Sequence, residues 1–231
     1  MCKLILKKWE ELPKEFQTEE VKKYYDILNK KRGSLFLKRV FDVIVSLIML
    51  IILLPVFIIL GIAIKIDSKG PVFFRQERIT QYGRTFKIFK FRTMVNNAEK
   101  LGTQVTVGND SRITRVGSFI RNCRLDEISQ LLNILTGDMT FVGTRPEVKK
   151  YVDYYTKEMM ATLLLPAGVT SLASIYYKDE AELLEKSENP DKTYIEEILP
   201  EKMKYNLQSI EKFNFLEDIK IMFMTALAVI K

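Results

Sequence analysis

The stretch from Phe41 to Ile66, FDVIVSLIMLIILLPVFIILGIAIKI, constrains the fold most, because its only charged side chains are Asp42 and Lys65. At about 1.5 Å per residue, a helix of this length covers roughly 39 Å, enough to cross a bilayer if straight. Pro55 lies near the middle, where it removes a backbone donor and clashes with the preceding turn. We therefore predict a helix that is kinked or broken at Pro55.

Basic residues flank this stretch on both sides. Those before it are Lys22, Lys23, Lys30, Lys31, Arg32, Lys38 and Arg39, and those after it are Lys65, Lys69, Arg75, Arg78 and Arg84. By the positive-inside rule both ends are cytoplasmic, which one straight crossing does not allow. A re-entrant helix-break-helix satisfies the rule, and a single kinked spanning helix is the alternative. The re-entrant form predicts Lys8 and Lys100 on the same side of the membrane.

The composition, 47% hydrophobic and 28% charged over 231 residues, indicates a soluble catalytic body joined to one apolar segment. The chain has no histidine, which excludes imidazole bases and the usual zinc ligand sets. Cys2 and Cys123 form no metal motif and argue for a reducing compartment. A bound metal would therefore be a hard cation on carboxylates, with Mg2+ as the leading candidate.

A formal net charge of +7 favours an anionic partner: a phosphorylated substrate, an anionic lipid surface or a nucleic acid. The chain lacks the combined basic and aromatic signature of nucleic-acid binding, so we expect no nucleic-acid partner. The long apolar stretch favours lipid and phosphate instead.

The fold class expected is α+β: a mainly helical cytoplasmic domain with a small β-hairpin, anchored by the re-entrant membrane segment. Residues 1–34 form an amphipathic helical segment that Gly33 closes. We expect its helix to pack on the rest of the protein rather than to contact a membrane or a second subunit. A homodimer stays open. Residues 35–66 form the re-entrant helix broken at Pro55. Residues 67–231 form the catalytic domain, which ends in an interfacial helix. No signal peptide is expected.

The pattern after the apolar stretch predicts the hairpin. Residues 72–79 and 85–94 are rich in β-formers, and residues 81–84 form the turn. Lys90 and Arg92 share one face of the second strand, where they either hold a phosphate or are solvated. Further along, we expect a helix over 125–135, a strand over 140–142, a helical pattern over 147–160, a β-prone run over 169–177 and a solvated acidic helix pair after it.

The chemistry concentrates at Asp126 and Glu127, two adjacent carboxylates on the helix predicted over 125–135. Five arginines surround them in sequence: Arg112, Arg115, Arg121, Arg124 and Arg145. Consecutive helical residues diverge by about 100°, so one carboxylate is able to attack while the other binds a metal. A carboxylate attacking phosphorus needs cations on the nonbridging oxygens, and arginine's planar fork suits that task.

Six motifs in order carry a resemblance to a known family: KRVFD, KIDSKGPVFFRQERI, FKIFKFRTM, DSRITRVGSFIR, RLDEISQLLNILTGDM and VGTRPE. The chain resembles the bacterial sugar transferases, the monotopic phosphoglycosyl transferases that start glycan assembly on a polyprenyl phosphate carrier. The resemblance is close over residues 35–147 and looser towards the C-terminus.

The resemblance implies an enzyme of the bacterial inner (cytoplasmic) membrane whose catalytic domain faces the cytoplasm. A nucleoside diphosphate sugar, usually a UDP-sugar, would give its sugar 1-phosphate to Asp126 and release UMP, and polyprenyl (undecaprenyl) phosphate would then attack that intermediate. The resemblance makes Glu127 the Mg2+ ligand and matches Arg121 and Arg145 to phosphate-binding positions. Lys90, Arg92 and Arg112 are further candidates for phosphate binding.

Several positions depart from the family pattern. Ser129 and Thr144 stand where proline is common, Leu54 replaces a serine before Pro55, and Thr80 replaces a glycine. VTSLAS replaces a Gly-Trp-rich loop, so the sugar is not assigned. Two other functions stay open: a membrane-surface scaffold that binds anionic lipid, and an Mg2+-dependent phosphohydrolase that uses water as acceptor.

Overall fold

The computed structural model describes residues 6–96, 98, 110–177, 180–185, 187 and 189–230. Ten α-helices and four strands are defined in this part of the chain. The helices are α1 (Glu19–Lys30), α2 (Arg32–Asp67), α3 (Arg115–Asn122), α4 (Leu131–Thr136), α5 (Lys149–Val152), α6 (Leu172–Tyr176), α7 (Glu180–Glu185), α8 (Pro190–Thr193), α9 (Leu199–Glu211) and α10 (Phe215–Ile230). The strands are β1 (Phe73–Ile79), β2 (Thr85–Phe91), β3 (Met139–Val142) and β4 (Ala167–Thr170).

Helix α2 is bent just before Pro55. Its two arms, Arg32–Ile52 and Leu54–Asp67, are bent by 61°. The bend lies on the N-terminal side of the proline, where the ring clashes with the carbonyl group four residues earlier. In the described ranges no single helix is long and apolar enough to cross a membrane, whereas the bent pair passes the same criteria together. The predicted break is confirmed as a bend, and its membrane placement stays a prediction.

The first arm of α2 is joined to the rest of the protein by the charged residues of KRVFD. Arg39 donates to two carbonyl oxygens at the end of α4, at 2.7 and 3.0 Å. Asp42 accepts from the Thr140 hydroxyl at 2.7 Å, and Lys38 donates to the Val142 carbonyl oxygen at 2.7 Å. All three charged side chains are buried. This motif therefore fixes the helix against α4 and β3.

The second arm is held at its other end. Arg92 donates to the Ser68 carbonyl oxygen at 2.7 Å and to the Lys69 carbonyl oxygen at 3.1 Å, which satisfies carbonyl groups at a helix C-terminus. Asp67 accepts from the backbone N–H of Val116 at 2.9 Å, in the first turn of α3. Both ends of the bent helix thus contact the same body, while its middle carries exposed apolar side chains, among them Ile48, Ile51, Ile52, Leu54, Ile58 and Ile59.

The predicted hairpin is confirmed. Strands β1 and β2 are antiparallel, with Phe73 opposite Phe91 and Ile79 opposite Thr85. Residues Gln81–Gly83 connect them, and Tyr82 takes a positive φ of 58°. The second strand ends at Phe91, earlier than residue 94: the Arg92 N–H still bonds to the Val72 carbonyl oxygen, but Met94 pairs with Ile113 instead of with the hairpin.

A second sheet pairs β3 and β4 in parallel. The strand expected over 140–142 is confirmed. The β-prone run over 169–177 is only partly a strand: β4 ends at Thr170, and Ser171 caps the following helix by accepting from the Ser174 N–H at 3.0 Å. Gly168 is required here, since a Cβ at this position would lie 2.2 Å from the Gly143 backbone.

Three helix predictions need correction. The helix over 125–135 is a 3-10 turn, Leu125–Gln130, followed by α4, since Arg124 adopts a left-handed φ of 52°. Residues 147–160 contain only α5 and the start of a 3-10 turn, because Thr156 begins a new turn by accepting from the Met159 N–H at 3.2 Å. Gly33 lies inside α2, and α1 ends at Lys30.

The remaining segments pack on this frame. Helix α1 buries Val21, Tyr24, Tyr25 and Leu28 in a core with the Met159–Leu164 turn and α9, so it is an ordinary packed helix. The acidic segment is helical as expected. It is not only a solvated surface, because it also buries an apolar cluster. That cluster consists of Leu184, Tyr194, Ile198, Leu199 and Met203. Residues 95–110, whose sequence predicts a polar helix and loop, lie mostly outside the described residues.

Helix α10 lies beside the first arm of α2. The ring of Phe215 packs edge-on against Phe41, with centroids 5.4 Å apart. Leu216, Phe223 and Leu227 are exposed. The C-terminal helix is confirmed as a helix, and its interfacial location stays a prediction.

Candidate active site

The 3-10 turn Leu125–Gln130 presents the two adjacent carboxylates. Leu125 and Ile128 pack on the apolar cluster formed by the second arm of α2, β2 and α3. The left-handed Arg124 turns the chain between α3 and this element, which leaves Asp126 and Glu127 beside the hairpin. The site therefore depends on the bent helix, because one layer of apolar side chains supports both.

Glu127 is surrounded by two cations. Lys90 Nζ donates to Glu127 Oε1 at 3.0 Å. Arg145 donates to the same oxygen with Nη2, and its Nη1 lies 3.4 Å from Oε2. Burial favours the neutral acid, but Arg145 and Lys90 outweigh it and hold the pKa of Glu127 well below its usual range. The same pairing raises the pKa of Arg145. Glu127 is therefore ionised at neutral pH.

Asp126 has a different environment. Burial raises the pKa of its carboxyl group, the Lys90 charge opposes that rise, and the negative charge of Glu127 adds to it. In the part of the chain that the structure describes, Asp126 has no ion pair. Its side chain lines a cleft of about 510 Å³ beside the hairpin.

The cleft is cationic and partly aromatic. Its described lining includes Lys90, Arg92, Arg112, Arg121 and Asp126, together with Phe73, Phe74, Arg75, Gln76 and Met94. Arg121 donates through Nε to the Thr93 hydroxyl at 2.8 Å. Burial lowers the pKa of Arg121, and the charge of Asp126 counters this effect. A guanidinium and a carboxylate therefore share one concave surface.

The other basic residues predicted to bind phosphate have different partners in the structure. Arg112 forms a bidentate pair with Asp110, with Nε at 2.9 and Nη2 at 2.6 Å, and this pair lowers the pKa of Asp110 to about 2. Arg92 is 5% exposed and directs its guanidinium at the end of α2. Lys90 contacts Glu127 and also lines the cleft, whereas Arg145 lies on the Glu127 side.

Asn133 lies behind the site, and no sequence motif marks its role. Its side chain accepts from the Phe89 N–H at 2.8 Å and donates to the Lys87 carbonyl oxygen at 3.1 Å. It is 1% exposed and joins α4 to β2, the strand that carries Lys90. A buried amide was detectable only as one polar residue within the apolar sequence LLNIL.

The side chains near the cleft that are able to bind a metal ion are carboxylates. Among the described residues no group of three or more Asp, Glu or Cys side chains converges. Glu127 is ionised, and its Oε2 has only the long 3.4 Å contact, so it retains acceptor capacity. Since Mg2+ uses one or two carboxylates with water and substrate phosphates, a single ionised Glu127 fits this type of site.

Comparison with known proteins places these features in a family. The model described as "Bacterial sugar transferase" matches residues 33–231. An Aeromonas hydrophila protein, UDP-N-acetylgalactosamine-undecaprenyl-phosphate N-acetylgalactosaminephosphotransferase, is 33% identical over 193 residues, which is 82% of this chain and 43% of that protein. UDP-glucose:undecaprenyl-phosphate glucose-1-phosphate transferase of Escherichia coli is 35% identical over 194 residues, 82% of this chain and 39% of that protein.

A shorter relative matches over most of its own length. A putative undecaprenyl-phosphate N-acetylgalactosaminyl 1-phosphate transferase of Bacillus subtilis is 37% identical over 146 residues, 63% of this chain and 81% of that protein. The chain therefore spans about two fifths of the first two relatives and most of the third. These alignments show shared ancestry over the segment that contains the site.

Proposed function

Because the chain belongs to the bacterial sugar transferase family, we propose that it transfers a sugar 1-phosphate from a UDP-sugar to undecaprenyl phosphate. The observation that carries this proposal is the location of Asp126. It lies in a cleft with Arg121 and Lys90, directly beside a bent helix with an exposed apolar surface. A soluble phosphorylated donor and a lipid acceptor are both able to reach one carboxylate there.

In the first step, an Asp126 oxygen attacks the phosphorus that bears the sugar. The new O–P bond forms as the bridging P–O bond of the diphosphate breaks, and UMP leaves with the bridging oxygen and its electron pair. In the second step, an oxygen of the acceptor phosphate attacks the same phosphorus and releases the Asp126 carboxylate. The products are UMP and a lipid diphosphate sugar, so every bond broken is matched by one formed.

The cations have separate tasks in this proposal. Arg121 binds nonbridging oxygens of the donor diphosphate in the cleft. Lys90 stabilises the negative charge of the phosphate group while Asp126 attacks it. Arg145 orients Glu127. Arg92 and Arg112 act mainly through their protein contacts and shape the cleft wall.

Glu127 is the residue that would hold Mg2+, through its ionised carboxylate. When bound, the ion would offset negative charge on the phosphate oxygens. Glu127 supplies the ionised oxygen that a hard cation needs, and its low pKa keeps that oxygen available at neutral pH.

The acceptor is proposed to approach along the second arm of α2. An open apolar groove of about 490 Å³ lies there, lined by Phe57, Ile58, Gly61, Ile62, Lys65, Ile66, Val72 and Phe73. Phe73 also lines the catalytic cleft, so the groove and the cleft are adjacent. An isoprenoid chain in the groove would direct its phosphate towards Asp126.

We further propose that the bent helix is re-entrant and that the catalytic body lies on the cytoplasmic face of the inner membrane. The support is that Lys38, Arg39 and Asp42 at one end of α2 and Asp67 at the other contact the same body. Because Lys100 lies outside the described residues, the test uses the exposed positions Lys8 and Lys69. Cys2 and Cys123 are first replaced by serine, and a single cysteine at either position should then react with a membrane-impermeant thiol reagent from the same side. Labelling from opposite sides would contradict the re-entrant form.

The direct test of function is a panel of UDP-sugars with undecaprenyl phosphate and Mg2+. The named relatives use different sugars, so the panel includes UDP-glucose and UDP-N-acetylgalactosamine. We expect UMP release together with a lipid-linked sugar. Free sugar 1-phosphate instead would indicate a phosphohydrolase, and no product from any donor would favour a scaffold.

A further inference from the structure

A buried charged cluster lies behind Arg145; its first member, Glu147, ends the VGTRPE motif, and its other members lie outside the motifs that carry the family resemblance. It consists of Glu147, Glu180, Tyr194 and Lys202, here called the Glu147 cluster. Tyr194 donates its hydroxyl proton to Glu147 Oε1. Lys202 Nζ donates to the Tyr194 hydroxyl oxygen at 3.1 Å and to Glu180 Oε2 at 2.8 Å.

Three of these side chains are deeply buried, and Glu180 is partly exposed. Glu147 is 8% exposed, Tyr194 is 4% exposed and Lys202 is 6% exposed. Tyr194 begins a π-helical segment, Tyr194–Ile198, and such segments occur frequently at functional sites. Burial and the negative charges of Glu147 and Glu180 hold the pKa of Tyr194 far above its usual range, so its hydroxyl stays protonated and able to donate.

The cluster holds the segment that carries Arg145. Glu147 is two residues further along the chain, and its carbonyl oxygen accepts from the Ile79 N–H at 2.9 Å. Arg78 donates to the Pro146 carbonyl oxygen at 3.1 Å. The segment is therefore fixed by β1 through its backbone and by α9 and the π-helical turn through the Glu147 side chain.

Charge also connects the cluster to Arg145. Glu127 has the largest effect on the pKa of Arg145, and Glu147 and Glu180 raise it further. Buried ion pairs contribute little net stability compared with apolar side chains of similar volume, because their desolvation is costly. A charged cluster at this location is thus better explained by orientation of a neighbour than by stability.

We propose that Glu147, Tyr194 and Lys202 are positioning residues that orient the Arg145 guanidinium towards Glu127 and the donor diphosphate. The inference rests on the proposed function. It assigns a task to the segment after residue 180, which contributes no side chain to the described cleft lining.

The test is a double-mutant cycle on donor binding. All proteins carry Asp126→Asn, so that the donor is not consumed, and calorimetry measures the Kd of the UDP-sugar in the presence of Mg2+. We expect Tyr194→Phe and Glu147→Gln each to weaken binding by about tenfold when Arg145 is present, as small misplacements at active sites do. With Arg145→Ala, the same substitutions should change Kd by less than about twofold, because coupled residues are not additive.

Tyr151→Phe is the matched control. Its ring packs against that of Tyr194 with centroids 4.5 Å apart, but its hydroxyl donates to Asp191 at 2.8 Å and not to Glu147. It should leave Kd unchanged, and thermal unfolding should show that all variants are folded. Equal losses with and without Arg145, or no loss from either variant, would overturn the proposal. Absence of sugar transfer by the unmodified protein would instead contradict the proposed function.

Discussion

The two sides of the 3-10 turn Leu125–Gln130 differ in how the protein treats negative charge. On one side, Glu127 is compensated within the protein by Lys90 and Arg145. On the other, Asp126 faces the cleft without an ion pair among the described residues, and burial raises its pKa. Adjacent carboxylates thus have shifts of opposite direction.

The proposed function assigns a separate chemical task to each carboxylate, and this difference suits both. A group that holds a cation must stay ionised, and strong pairing ensures this for Glu127. A nucleophile must not be neutralised by a tight partner, because that pairing lowers its reactivity; partial burial leaves Asp126 more basic than an ordinary aspartate. Pairs of acids whose environments push their pKa values apart commonly divide such roles.

The strongest test of the difference between the two carboxylates is to neutralise Asp126. Asp126→Asn should lower product formation by about 10⁴-fold or more, because the amide is not a nucleophile. UMP release and lipid-linked sugar are measured together. Asp153→Asn, at an exposed pair with Lys149, is the control and should keep full activity. Normal UMP release by Asp126→Asn would show that the roles are assigned to the wrong carboxylate.

Neutralising Glu127 should lower activity less than neutralising Asp126. We expect Glu127→Gln to lower kcat by about 10²- to 10³-fold, the range seen when one electrostatic group is removed from an active site. Chelation of divalent ions should abolish activity in the unmodified protein, and added Mg2+ should restore it. Full activity after chelation would remove the metal from the proposal.

Much of the fold was readable because its signals are local. The uncharged stretch with Pro55 predicts a bent helix, and β-formers around Gln81–Gly83 predict the hairpin. The 3-10 turn after Arg124 and the helix that begins after Ser171 were missed, because they depend on a left-handed residue and on a side-chain cap. Neither leaves a periodic pattern.

The site was readable as residues but not as an arrangement. Sequence adjacency brought Asp126 and Glu127 together, yet the raised pKa of Asp126 arises from burial, and the lowered pKa of Glu127 arises from Arg145 and Lys90, which come from distant segments. Lys90 and Arg92 were expected on one face, but only Lys90 contacts the dyad, whereas Arg92 satisfies carbonyl groups of α2. Long-range contacts of this kind follow from packing and not from spacing.

Replacing arginine by lysine on each side sharpens the comparison further. Arg121→Lys should raise the KM for the UDP-sugar by about tenfold, since it loses the planar fork on the cleft side. Arg145→Lys should instead raise the Mg2+ concentration needed for half-maximal rate, because Glu127 loses part of its orientation. Each variant is the control for the other. If both variants change the KM for the UDP-sugar and the Mg2+ requirement equally, the Asp126 and Glu127 sides of the turn do not have separate roles.

The smallest effect concerns pH. The Asp126 pKa is raised, so the acid limb of kcat/KM should lie above the ordinary aspartate value of about 3.9. Activity is present above that pKa and is lost as pH falls through it, because only the ionised form attacks. Lys90 lowers the Asp126 pKa, so Lys90→Gln should move the limb to higher pH, whereas Arg75→Gln, an exposed residue at the cleft edge, should not. A limb that stays fixed or moves to lower pH in Lys90→Gln would mean that this lysine acts only on Glu127, and that the two sides of the turn are electrostatically independent.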